Sequence, residues 1–160
     1  IPAVKAAVRV PVVASGDVDS PEKALEVLRA TGADALMVGR AAQGRPWIFR
    51  EIAHYLETGE HLAPPRVAEV RDWLIEHLHD HYSLYGEWSG VRTARKHIGW
   101  YVRGLPGGEE FRAEMNRLES CEEQLSAVAD YFNELAARLV RLPTPQAQDH
   151  ADDELQQEAA

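Results

Sequence analysis

The chain is 160 residues long, 45% hydrophobic and 27% charged, the composition of a soluble globular protein with a buried core. No apolar run approaches the roughly 20 residues a membrane-spanning helix needs, and the opening IPAVKAAVRVPVV has neither a charged n-region nor a small-residue cleavage site, so a cytoplasmic location is expected. The one cysteine, Cys121, excludes an internal disulfide framework, and a lone thiol without clustered histidines is a poor start for zinc, so no metal is expected.

In chain order, the run VRVPVVASG predicts a short, fully buried strand over Val10–Ala14, ended by a Gly-Asp turn. A helix follows: Ser20 is a good N-cap, Pro21 suits the first helical position, Glu22 complements the dipole, and Gly32 is a stop. Ala35–Val38 reads as a second buried strand, cut off by Gly39. Strand, helix and strand within about thirty residues make a right-handed βαβ unit with parallel strands. Pro46 opens the next helix, with Ile48, Phe49, Ile52, Tyr55 and Leu56 on one side and Gly59 after its end.

Beyond the loop with Pro64 and Pro65 the period is helical throughout. Apolar positions recur at Val67, Val70, Leu74 and Leu78, at Val91, Ala94, Ile98, Tyr101 and Val102, and at Phe111, Met115 and Leu118. The last helix starts with the capping box Ser120 to Glu123 and runs through Leu125, Val128, Phe132, Leu135 and Leu139. The tail is polar and acidic, and is expected to be disordered.

Two parallel strands do not make a stable sheet, and parallel sheets are covered on both faces. The expected architecture is therefore α/β, the terminal βα units of a TIM-type barrel over residues 1–58. A linker (59–66), an all-α helical bundle domain (67–142) and the tail (143–160) follow, and the rest of the barrel is expected upstream.

The formal net charge of −9 argues at first against a nucleic-acid partner, because phosphate binding relies on Lys and Arg. The distribution argues the other way. Asp149, Asp152, Asp153, Glu154 and Glu158 in the tail hold −5 of that charge. Two windows contain no acid: Arg40, Arg45 and Arg50 lie in one, and Arg92, Arg95, Lys96 and Arg103 in the other.

Three glycine turns follow the strands: Ser15-Gly16-Asp17, Gly39-Arg40 and Gln43-Gly44-Arg45. Loops after the last strands of a βα-barrel commonly form a phosphate site, and Gly39 and Arg40 suit that role. Asp17 is placed either to cap the next helix or to hold a ribityl hydroxyl, and the glycines are alternatively simple turn formers. In the second window a helix over Gly90–Arg103 puts its four cations close to one face. Trp100 and Tyr101 there either stack on an unpaired base or pack in the bundle, and His97 is ambiguous in the same way. Trp47, Trp73 and Trp88 read as packing residues.

The run VPVVASGDVDSPEKALEVLRATGADALMVGRAAQGRPWIFREI closely resembles the C-terminal barrel segment of tRNA-dihydrouridine synthases. The resemblance continues through YLETGE, the proline loop and VRTARKHIGWYVRGLPG, which looks like the helical domain of the bacterial B-type enzymes. It covers Ile1 to about Leu139. It implies FMN as cofactor, held by Ser15, Gly16, Asp17, Gly39 and Arg40, with Ser15 in place of the more usual asparagine. It implies tRNA as partner, contacted by Arg92, Arg95, Lys96 and Arg103, and NADPH as reductant for making 5,6-dihydrouridine in the D-loop. It also implies a monomer when full length, with a catalytic cysteine, lysine and histidine in an earlier barrel half, so that no catalytic residue lies in this chain. The other readings are an RNA-binding module without redox activity, and a barrel flavoenzyme acting on a small molecule.

Overall fold

A computed structural model of the chain describes residues 1–143, so the tail expected to be disordered lies, but for Pro143, outside the described residues. Two compact units are present, the first Ile1–Ala63 and the second beginning at Pro64.

The first unit runs α1 (Pro2–Ala7), β1 (Val13–Ser15), α2 (Pro21–Thr31), β2 (Ala35–Met37), a 3-10 turn at Arg40–Ala42, and α3 (Ile48–Thr58). The two strands are parallel, with Val13 opposite Ala35 and Ser15 opposite Met37. Pairing starts later than the apolar run Val10–Ala14 predicts. Pro11 has no N–H for a ladder, and the Val12 N–H donates to the Asp34 carboxylate at 2.7 Å instead. The same carboxylate takes the Lys5 ammonium at 2.6 Å, which ties α1 to the entry of β2. These two bonds hold the Asp34 carboxyl below its ordinary range.

Against the expectation from sequence, neither strand is fully buried. Ala14 is, but Val13 and Met37 remain 55% and 57% exposed. The reason lies in the pleat. Leu36 packs on the cluster Val18, Ala24, Ile48 and Ile52 contributed by the β1–α2 loop, α2 and α3, while Val13 and Met37 point to the opposite, uncovered side.

Helix α2 has the ends its sequence encodes. Ser20 Oγ accepts from the Lys23 N–H at 3.2 Å, a cap worth about 1 kcal/mol, and Gly32 closes the helix in the left-handed region. Helix α3 begins two residues after Pro46, because the Ile48 N–H closes a turn on the Arg45 carbonyl at 3.1 Å and leaves Pro46 at the second turn position.

The second unit consists of α4 (Val67–Val102), α5 (Gly108–Met115) and α6 (Cys121–Arg138). The helix predicted to start at Gly90 is instead the second limb of α4, which breaks at Gly86 (φ 70°, ψ 173°), a conformation open to glycine. The limbs fold back antiparallel. His81 pairs with Thr93 at 2.7 Å, His77 meets His97 at 5.1 Å between ring centres, and a Cβ on Gly90 would sit 3.0 Å from the Tyr82 ring.

The apolar positions of all three helices meet in one core, with Leu74, Ile98, Met115, Val128 and Phe132 fully buried. Gln124 is buried with them. Its Nε2 donates to the carbonyls of Val91 (3.2 Å) and Met115 (3.5 Å), and its Oε1 accepts from Tyr82 Oη (2.8 Å). One amide thus joins α6, α5 and both limbs of α4. The capping box is formed: Ser120 and Glu123 each accept from the other's backbone N–H at 3.2 Å. Pro65 and Leu142 bond at 3.0 Å, which closes the unit at its two ends.

Candidate functional site

In the first unit, parallel in-register strands bring the turns after β1 and β2 to one edge of the sheet, where α/β proteins place ligands. Ser15-Gly16-Asp17 and Gly39-Arg40 therefore lie together, and Arg40 Nη2 contacts Asp17 Oδ1 at 2.6 Å with both side chains more than four-fifths exposed. Gly16 has φ +145°, and Asp17 (φ +31°) is the one non-glycine residue with positive φ among the described residues. Backbone held in such a region marks a position where the surroundings dictate conformation. Asp17 does not cap α2, since Ser20 takes that role.

The arrangement fits a phosphate-bearing ligand. A Cβ added at Gly16 or Gly39 would meet nothing within 4 Å, so both turns border open space, and one guanidinium stands beside them. The Arg40–Asp17 pair is water-exposed and therefore weak. An arriving phosphate can take over the guanidinium with little resistance.

Sequence reasoning did not single out Arg45 as the structure does. Its Nε and Nη2 reach one Glu51 carboxylate oxygen at 3.1 and 2.7 Å, and its Nη1 the Asp19 carbonyl at 3.3 Å. It holds the loop after β1 to the start of α3. A cation five residues after a strand-ending Gly-Arg gave no signal of this, because the partner carbonyl lies 26 residues upstream.

In the second unit, Arg92, Arg95, Lys96 and Arg103 line one cleft of about 360 Å³, together with Trp100, Asn116 and Arg112. Arg112, on α5, was outside the predicted window. Only tertiary packing brings it there, with its Nε 3.4 Å from where a Gly99 Cβ would stand. The one acid in the lining is Glu109, 3.5 Å from Arg112.

The four predicted cations are not equivalent. Arg95 Nη2 donates to the Leu118 carbonyl at 2.9 Å, and its Nε is buried without a partner. Arg95 thus helps fasten α4 to the α5–α6 turn. Lys96 lies 4.8 Å over the Trp100 ring, and Arg92 lies 4.6 Å over Trp88. Arg103 stands just past the helix end, as the C-cap of α4.

Two further expectations are corrected here. Trp88 is not a packing residue but is 72% exposed, because it sits two residues past the Gly86 break, at the tip of the hairpin. Histidines do cluster in space: His77, His81 and His97 lie 5.1 to 6.3 Å apart between ring centres. No group of His, Cys, Asp or Glu among the described residues has a metal-holding arrangement. Burial and the neighbouring His77 push both His81 and His97 below the ordinary histidine range. Cys121 opens α6, its thiol pushed up by burial and by Glu87.

The profile of the dihydrouridine synthase family matches residues 1–136, spanning both units. The chain belongs to the dihydrouridine synthase family. Among its curated relatives, tRNA-dihydrouridine synthase B of Shewanella oneidensis is 61% identical over 135 residues, which is 84% of this chain and 42% of that protein. The enzymes of the same name from Xanthomonas axonopodis pv. citri and Pseudomonas aeruginosa are each 58% identical over 134 residues, or 84% of this chain and 40% of theirs. This dihydrouridine synthase chain therefore spans about 40% of the length of the relatives it matches. No helix among its described residues is long and apolar enough to cross a membrane.

Proposed function

We propose that this chain is the C-terminal part of an FMN-dependent tRNA-dihydrouridine synthase that reduces uridine in the tRNA D-loop with NADPH. The observation that carries the flavin half of this reading is the meeting of the Ser15-Gly16-Asp17 and Gly39-Arg40 turns at one sheet edge, beside open space, in a chain of this family. These strands and helices are then the last βα units of a barrel. The turns belong to its carboxyl-end rim.

Within that reading Arg40 pairs with the FMN phosphate, for which a guanidinium offers a two-pronged donor. Asp17, freed of Arg40, accepts a hydroxyl of the ribityl chain, and Ser15 stands beside it. Gly16 and Gly39 keep side chains out of the way. Bound there, the flavin supplies the hydride chemistry. The acid that completes the reduction is assigned to the rest of the barrel and not to Cys121, which opens helix α6 of the second unit. The cleft of Arg92, Lys96, Arg103 and Arg112 takes tRNA phosphates.

The test is the flavin content of the full-length enzyme carrying Arg40→Ala. Loss of bound FMN with retained fold is expected. Unchanged stoichiometry and affinity would remove Arg40 from the site, and a wild-type protein that binds tRNA but is colourless would leave an RNA-binding module without redox activity.

A further inference from the structure

Along the second limb of α4, Trp88, Arg92, Lys96 and Trp100 recur at intervals of four residues, and each cation lies over a tryptophan: Arg92 at 4.6 Å from the Trp88 ring and Lys96 at 4.8 Å from the Trp100 ring. A step of four turns a helix by only about 40° beyond a full revolution, so the four side chains form one slowly winding stripe. Arg92, Lys96 and Trp100 line the cationic cleft. Trp88 is the next step of the same stripe, beyond the cleft's end.

We infer that Trp88 is a stacking platform for an unpaired nucleobase of the bound RNA, set one helical turn from the phosphate-binding cations. Three observations carry this. Trp88 is 72% exposed although Arg92 covers one side of it, so the other face of the indole is open. Burying such a ring in the core is what a packing role requires, and the core does without it. Second, Arg92 is anchored at Trp88 itself, with Nη1 donating to the Trp88 carbonyl at 2.8 Å. The indole and the guanidinium are thus held together as one unit, the pairing of π-face and cation that single-stranded nucleic acid favours. Third, the adjacent acid is turned away, since Glu87 accepts from the Cys121 N–H at 3.2 Å.

Leu84 and Tyr85, 75% and 54% exposed on the other side of the Gly86 break, extend the apolar tip. A base stacked on Trp88 has apolar surface beside it as well as cations. RNA is favoured over a protein partner as the occupant because the stripe sets two cations between two aromatic rings, whereas a protein-binding patch is apolar at its centre and depleted of charge there. Base stacking tolerates any sequence, so Trp88 contributes affinity and placement, not choice of base.

This inference rests on the tRNA-binding reading above, and its test separates the two. In the full-length enzyme, tRNA binding is measured at several salt concentrations for the wild type, Trp88→Ala and Arg103→Ala. The expected result for Trp88→Ala is a loss of affinity of about tenfold with an unchanged slope of log affinity against log salt, because no phosphate contact is lost. Arg103→Ala is expected to reduce the magnitude of that slope by about one. Binding of tRNA to the wild type should quench tryptophan emission more than it does in Trp88→Phe. If Trp88→Ala binds as the wild type does while Arg103→Ala is weakened, the stacking role falls and the tRNA reading stands. If the wild type does not bind tRNA, both fall. If Trp88 in the free full-length enzyme is shielded from acrylamide, the tip is covered by the rest of the protein, and that outcome also overturns the proposal. Because Trp88 is exposed, neither replacement threatens the fold.

Discussion

Arg45 and Glu51 form an ion pair at 2.7 Å whose side chains are only 23% and 13% exposed, and the same guanidinium holds the Asp19 carbonyl. Removing the arginine leaves the Glu51 carboxylate half-buried without its partner, which costs more than an exposed pair would. Arg45→Ala is expected to destabilise the first unit by about 2 kcal/mol. Arg45→Lys should recover little, since an ammonium cannot span Glu51 and Asp19 as a fork does. Denaturant unfolding of the full-length protein checks the stability. Flavin affinity should fall as well, because the loop from Ser15 to Asp19 is no longer held; unchanged affinity would separate the clamp from the site.

Gln124 is the corresponding tie in the second unit. Gln124→Leu keeps roughly the same volume but leaves the part-buried Tyr82 hydroxyl without its acceptor and removes the additional bonds to the Val91 and Met115 carbonyls. At about 1 to 3 kcal/mol per orphaned buried group, a loss of about 2 kcal/mol is expected. Burial already pushes the Tyr82 hydroxyl well above its ordinary range, so it has no ionised form to escape to near neutrality. A thermal midpoint unmoved by the substitution would show that water replaces the amide.

The histidine group between the limbs of α4 makes stability depend on pH. His81 and His97 have folded-state pKa values below the ordinary 6.5, chiefly through burial and then through His77, with Lys96 adding to the effect on His97. In the window between those lowered values and about 6.5 the unfolded chain binds more protons than the folded one, so stability rises with pH there. Their contribution is complete above about pH 6.5 and is lost as pH falls through the folded-state values. The midpoint of thermal unfolding should therefore drop on acidification before carboxylates titrate. His97→Gln should flatten that part of the profile, and an identical profile would assign the acid sensitivity to other groups.

How much of this was legible in the sequence differs by element. Caps were: Ser20, Gly32 and the Ser120–Glu123 box encode bonds that close within four residues, and all three formed. The helical periods also predicted most of the core of the second unit, but Leu118, Leu125 and Leu139 are only partly buried, and the buried Leu105 and Gln124 gave no such signal. Positions that depend on distant partners were not legible. The start of β1 is set by Pro11 and by Asp34, 22 residues beyond Val12. The exposure of Trp88 follows from the break at Gly86, which reads as an ordinary helix glycine until its dihedrals are known. Arg112 joins the cationic cleft from a different helix. The two glycine turns were identified as candidates from their places after strands, but the Arg40–Asp17 contact needed the register.

The cationic cleft supplies the last prediction, and its geometry decides which residues to change. Replacing Arg95 would be ambiguous, because Arg95 holds the Leu118 carbonyl and its loss would loosen the α5–α6 turn along with any phosphate contact. Lys96 and Arg103 are cleaner, since both are exposed and neither carries a packing contact that closes the core. If each neutralises one tRNA phosphate, Lys96→Ala with Arg103→Ala should reduce the magnitude of the log-affinity against log-salt slope by about two. Binding should weaken across tRNA sequences alike, because phosphate contacts carry no base information. Thermal stability should change little, as exposed charges contribute about 0 to 1 kcal/mol, and flavin content should not change. Filter binding of the full-length double variant across a salt series is the measurement, and an unaltered slope would falsify the assignment of this cleft to tRNA.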